Sequence, residues 1–215
     1  MAPLSTPLFL LLGTSTVAFA GPTVARQETR GQYYDETTGL CYSEYSIAQL
    51  GITYRLATPE SAEGDFDLAL LIVATNEVDW AGMAWGEQMA GNPITIGWRD
   101  GEEAAESSRW ATAHAMPDLY REAPCTVRPG SGANETHWTL SVLCSECTSW
   151  ESGSVDASGS VAKGGWEHDM AASGNAEFDA LVEAAMAIGD PKGGAGDGDE
   201  RFVPEEPPMG GPMFE

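Results

Sequence analysis

Trp138-Thr139-Leu140-Ser141-Val142-Leu143 places apolar side chains at every second position, the pattern of a strand with one face buried and the other lined by small polar groups. Two further stretches, Ile94-Thr95-Ile96-Gly97-Trp98 and Ile52-Thr53-Tyr54-Arg55-Leu56, have the same period and are also bounded by turn residues. Phe66 to Ala74 is instead nearly continuous in apolar character, which predicts a strand covered on both faces or one lying against a large apolar ligand. Of these two uses, the core of a sandwich is the commoner. Arg99-Asp100-Gly101 reads as a hairpin turn, with Glu102 to Ser108 carrying the chain back toward a strand around Trp110. Many short strands separated by Gly, Asn and Pro predict an all-β protein, an antiparallel β-sandwich.

One segment has a different period. From Phe178 onward Leu181, Val182, Ala185 and Met186 recur at helical spacing, with Asn175 as the expected N-cap and Gly189 as the stop. This predicts a single C-terminal helix over about Asn175 to Ile188, packed on the sandwich.

Composition divides the chain into four parts. Residues 1–20 carry no charge and hold the apolar run Leu8 to Leu12 before Ala18-Phe19-Ala20, the pattern of a secretory signal peptide and its cleavage site. Residues 21–30 read as a short leader, with a second cut after Arg26 as an option, and residues 31–189 as one domain. Residues 190–215 are rich in Gly, Pro and acid and bury too little to offset the cost of ordering them, so a disordered tail is expected. No later run reaches the roughly 20 apolar residues of a membrane helix. The formal charge of −23 disfavours nucleic acid and anionic membranes as partners, because both attract cations. A secreted, soluble monomer is the expectation.

Four cysteines in an exported chain favour two disulfides, with three possible connectivities. Cys144 and Cys147 are close enough to pair locally, which leaves Cys41 for Cys125. Zinc would need two more ligands at finger-like spacing, and a redox-active dithiol would need a helix start where Thr148 to Gly153 reads as a turn. Asn134-Glu135-Thr136 is a glycosylation sequon in a polar loop.

Four elements follow one another at comparable intervals: Trp80-Ala81-Gly82-Met83-Ala84-Trp85-Gly86-Glu87-Gln88-Met89, Arg109-Trp110-Ala111-Thr112, Asn134-Glu135-Thr136-His137-Trp138 and Cys144-Ser145-Glu146-Cys147-Thr148-Ser149-Trp150. As an ordered set, over roughly residues 31 to 185, they resemble the haem b cytochrome domain of fungal cellobiose dehydrogenases and the related iron reductase domains, which are immunoglobulin-like or DOMON-like sandwiches. The resemblance implies haem b as cofactor, with Met89 on the family's axial methionine and His168, in Trp166-Glu167-His168-Asp169, on its axial histidine. Spacing alone would make Met89 a packing residue. His137 matches a position that is not a ligand, and His114 is the fallback. Glu151 to Glu167 is Gly- and Ser-rich where the family carries a further apolar strand, which predicts a shortened or lost edge strand. Of the seven tryptophans, most are expected to be core anchors and one or two to line the haem slot.

The function implied is a secreted electron-transfer protein. It would pass single electrons from a flavin dehydrogenase to a copper-dependent polysaccharide monooxygenase, a quinone or a ferric complex, with ferric reductase activity as one outcome. No Gly-x-Gly-x-x-Gly follows a strand and no flavin domain fits, so the donor is expected on a separate polypeptide. The alternative from another class is a haem-free carbohydrate-binding or adhesive sandwich, in which exposed aromatics would stack on sugar rings. A hydrolase has little support, because no Gly-x-Ser-x-Gly elbow is present and the acids are too scattered to single out a pair.

Overall fold

The computed structural model describes residues 28–188, except 63, 87, 88, 114, 146, 152, 156–161, 165 and 169–173, and gives residues 162–164 and 166–168 as backbone alone. The strands are β1 (Glu28–Tyr34), β2 (Cys41–Ile47), β3 (Ile52–Pro59), β4 (Leu68–Thr75), β5 (Trp80–Ala84), β6 (Asn92–Asp100), β7 (Glu103–Ala111) and β8 (Asp118–Leu119). After these come β9 (Cys125–Val127), β10 (Gly132–Ala133), β11 (His137–Cys144), β12 (Ser149–Trp150), β13 (Gly153–Ser154), β14 (Ala162–Gly164), β15 (Trp166–His168) and β16 (Gly174–Asn175). One helix, α1 (Phe178–Ala187), closes the described chain.

Two sheets form the sandwich. The larger runs β1-β2-β3-β4-β11-β10, with β9 also on β11 and β16 on β3, and the smaller runs β5-β6-β7-β8. Every pairing is antiparallel except the two-residue β16–β3 contact. The expected hairpin turn is present: Asp100 pairs with Glu103, Gly101 has φ 66°, and Arg99 Nε donates to the Gly101 carbonyl at 2.7 Å.

The core follows from the alternation of β4. Leu68, Leu70, Ile72 and Ala74 point toward the smaller sheet, where they join Tyr54, Leu140, Val142, Ala81, Met83 and Trp85. Ala69 and Leu71 point the other way and meet Phe178 and Val182 of α1. The continuous apolar run is therefore a strand covered by a sheet on one face and by a helix on the other. The two sheets approach closely, since a Cβ on Gly97 would stand 2.4 Å from Leu140 Cδ2. Tyr54 Oη donates across the layers to the Gly82 carbonyl at 3.1 Å.

Several expectations are corrected. Asn175 does not cap the helix. Glu177 holds that position without a side-chain bond, while Asn175 accepts from Cys41 N at 2.8 Å and donates to the carbonyls of Cys41 and Thr58. Bonds to partners more than a hundred residues away override the local cap preference. Met186 lies on the exposed side of α1, and Phe178, Val182 and Ala185 form its buried stripe. Gly189, the expected stop, lies outside the described residues. Among its described residues the Gly- and Ser-rich Glu151 to Glu167 run keeps short strands, β13, β14 and the start of β15, which pair outside the two sheets of the sandwich, in line with a shortened or lost edge strand. β1 begins at Glu28, inside the stretch read as leader.

The cysteine pairing also changes. Cys41 on β2 and Cys125 on β9 are separated by β3, β4 and β11, four strand steps or roughly 19 Å, far beyond the ~7 Å limit between the Cα atoms of a disulfide. Cys125 instead stands directly opposite Cys144 across β9 and β11, and Cys147 Sγ donates to the Cys144 carbonyl at 3.4 Å. Three of the four cysteines thus share one buried cluster.

Candidate functional site

The smaller sheet has two faces, and only one of them meets the larger sheet. On β6 the side chains of Thr95 and Gly97 point inward, whereas Ile94, Ile96 and Trp98 point outward. That outward face is nonetheless buried: seven consecutive residues, Asn92 to Trp98, are closed off from solvent. The outward cluster comprises Trp80 of β5, Ile94, Ile96 and Trp98 of β6, Ala111 of β7, and Met89 from the β5–β6 connection. It is a second apolar surface, separate from the sandwich core.

The sequence of the connection explains how Met89 is presented. Trp85 turns inward and anchors the loop, its indole N–H donating to Thr95 Oγ1 at 3.0 Å. Glycine at the next position leaves room for Asn92, since a Cβ on Gly86 would fall 1.9 Å from the Asn92 side chain and displace it. Gly91, with φ 79°, brings the chain into β6, and its N–H donates to the Ala111 carbonyl at 2.6 Å. Between these fixed ends Met89 is 4 % exposed and packs on the outward cluster.

The rest of that face is not wholly apolar. The β6–β7 register sets Arg109 opposite Ile94 and Ser107 opposite Ile96, so both lie on the outward side with Ala105 and Ala111. Arg109 is 7 % exposed, and its Nε donates to Ser107 Oγ at 2.8 Å.

The three histidines stand differently. His168 ends β15, and its side chain, like the whole of His114, lies outside the described residues. His137 opens β11, exposed, with Nδ1 2.9 Å from Thr136 Oγ1. Of the tryptophans, Trp80 and Trp98 belong to the outward cluster and Trp85 and Trp138 to the core, the last donating its indole N–H to the Val78 carbonyl at 2.9 Å.

Two other features lack the donors of a haem site. A cleft of about 540 Å³ beside β7 and β9 is lined by Asp100, Glu103, Glu106, Tyr120, Arg121 and Cys125, and among the described residues neither Met89 nor His137 reaches it. In the cysteine cluster burial pushes the Cys144 and Cys147 thiols up, and the Cys125 thiol is raised first by its hydrogen bond with Cys144 and then by burial. A redox dithiol needs a stabilised thiolate, the opposite condition. Among the described residues no group of three or more His, Cys, Asp or Glu side chains is placed to hold a metal ion, and no helix is long and apolar enough to cross a membrane.

The donor chemistry of the outward face fits a haem: a broad apolar surface, a buried soft thioether and a buried cation. Sequence reasoning reached Met89 but not Arg109, although Arg109 stands in one of the quoted motifs. A buried charge is not visible until burial is known.

Comparison with known proteins is consistent with this geometry. The family model of the cytochrome domain of cellobiose dehydrogenase matches residues 33–180. The chain is 29% identical over 145 residues to the pyrroloquinoline quinone-dependent pyranose dehydrogenase of Coprinopsis cinerea, a match covering 65% of this chain and 20% of that protein. It therefore spans about a fifth of the length of this relative. The cytochrome b domain of the Coprinopsis cinerea pyranose dehydrogenase superposes with a TM-score of 0.61 at 22% identity, covering 74% of this chain and 96% of that one. The cytochrome domain of Myriococcum thermophilum cellobiose dehydrogenase gives a TM-score of 0.64 at 19% identity, covering 73% and 96%.

Proposed function

Because the chain belongs to the family of cellobiose dehydrogenase cytochrome domains, a family that binds haem b, we propose that it is a secreted one-electron carrier whose haem iron is held by Met89 and His168. The observation that carries this reading is the Met89 thioether, buried among Trp80, Ile94, Ile96 and Trp98 on the face turned away from the sandwich core. When bound, the haem would supply one-electron transfer, with Met89 and His168 as the residues that would hold it. The residues of this chain would do the rest. Met89, a soft donor, favours the ferrous over the ferric state and so raises the reduction potential. His168 is the stronger donor and holds the group in place. The apolar face keeps water from the ligands.

Export is supported by the uncharged, apolar first twenty residues and by the Asn134 sequon, whose Oδ1 accepts from Thr136 N, Thr136 Oγ1 and His137 N and leaves the exposed amide nitrogen for a glycan. The donor in this reading is a sugar-oxidising dehydrogenase, the class to which the relative from Coprinopsis cinerea belongs. The acceptor is a copper-dependent polysaccharide monooxygenase or a ferric complex. A carbohydrate-binding role needs a platform of exposed rings, and among the described residues the one strongly exposed aromatic is Tyr34.

A visible absorption spectrum of the secreted protein, with the Met89 and His168 variants beside it, tests the reading. The wild type should show a low-spin, six-coordinate haem. His168→Ala should lose it, and Met89→Ala should retain it at a lower potential. A wild type without a Soret band, or a His114→Ala variant that loses haem while His168→Ala keeps it, would overturn the assignment.

A further inference from the structure

Arg109 is out of place on its face of the sheet. Burying a guanidinium among apolar side chains is costly unless an anion meets it. Arg109 is 93 % buried, its neighbours across the sheet are Ile94 and Leu119, and its hydrogen bond goes to the neutral Ser107 hydroxyl. Among the described residues no carboxylate is paired with it, in a chain that carries 33 of them. Arg55, by contrast, meets Glu44 at 2.7 Å at a half-buried site.

The Ser107 bond fixes the orientation of the guanidinium, since it engages Nε and leaves the four N–H groups of the two terminal nitrogens for another acceptor. Arg109 also stands close to the methionine end of the site. It is two residues from Ala111, whose carbonyl receives the Gly91 N–H of the Met89 loop, and its partner Ile94 belongs to the same cluster as Met89. A fixed fork of donors beside a large apolar surface suits a planar ligand that carries carboxylates.

We propose that Arg109, oriented by Ser107, is the residue that receives a propionate carboxylate of the haem and so sets which way the group lies on the outward face. The assignment rests on the haem reading above. Arg109 is a positioning residue: it meets the periphery of the ligand and leaves the iron to Met89 and His168.

The test compares protohaem with its dimethyl ester, in which both carboxylates are masked, for binding to the haem-free protein. The wild type should bind the free acid more tightly than the ester by about tenfold or more, the worth of a charge-assisted hydrogen bond. Arg109→Gln should reduce that preference to within about threefold by weakening binding of the acid while leaving the ester alone. Arg109→Lys should keep part of the preference, because the charge remains and the fork is lost. The far-UV spectrum and denaturation midpoint of the haem-free variants establish folding, and the lysine variant carries the test if the glutamine variant does not fold. A wild-type protein that binds acid and ester alike, or an Arg109→Gln variant with an undiminished preference, overturns the assignment and leaves the haem reading standing. A wild-type protein that binds neither compound overturns both.

Discussion

β4 and β6 are both buried on both faces, yet they differ in what covers them and in what they carry. Both faces of β4 are mainly aliphatic and meet the chain's own elements, the smaller sheet on one side and α1 on the other. The inward face of β6 is similar, with Gly97 accommodating Leu140. Its outward face combines isoleucines with two tryptophans, a thioether and, across the register, a buried arginine. That contrast separates a structural core from a site, and it can be tested strand against strand.

The largest effect should come from Ile72→Ala on β4, which is fully buried and should cost about 2–5 kcal/mol in urea or guanidinium unfolding. The loss should be the same with and without haem. Ile96→Ala on the outward face of β6 should weaken the additional stabilisation that haem provides, and equal behaviour of the two variants would erase the distinction. Next is Asn175→Ala, which removes three bonds tying the segment before α1 to β2 and β3 and should cost about 1–3 kcal/mol. The loss should appear in urea unfolding of the haem-free protein.

Tyr54→Phe should be milder, about 1 kcal/mol for the lost bond to Gly82. It also has a pH signature. Burial raises the Tyr54 phenol well above its usual 10.0, so the unfolded chain releases this proton first as the solution becomes alkaline. The stabilising contribution is fully present below pH 10 and is lost as pH rises beyond it. The phenylalanine variant should show a shallower alkaline loss of stability. The smallest change in stability should come from Met83→Leu and Met89→Leu, each under about 1.5 kcal/mol because volume is conserved. The two methionines are buried on opposite faces of one sheet region. Met83→Leu should leave the visible spectrum and reduction potential alone, and Met89→Leu should change both.

How much of this could be read in advance depended on the range of the interactions. β3, β6 and β11 carry enough residues to show a period of two, β4 enough to show a continuous apolar run, and α1 enough to show 3.6. β12 to β16 are two or three residues each, too short for any period. Asn175 was misread because an asparagine ahead of a helix is a good cap locally, and its partners lie in β2 and β3. The Cys41–Cys125 pairing is excluded for the same reason, since strand order rather than spacing decides which sulfurs meet, while Cys144 and Cys147 remain neighbours. Met89 was singled out by family resemblance and not by its own neighbourhood in sequence.

The cysteine cluster has an arithmetical consequence. Strand partners lie about 4.5–5.5 Å apart at Cα, within the range of a disulfide, so in an oxidising compartment a disulfide oxidoreductase can join Cys144 to Cys125, two protons and two electrons leaving with the oxidant. Three sulfurs permit only one bridge, and one of the three remains over, sealed in the interior. The fourth, Cys41, is half-buried at the start of β2, roughly 19 Å away across the sheet. A native chain would thus offer reagents two thiols when unfolded and one when folded, a built-in attachment point for a fluorophore or spin label that requires no engineered residue.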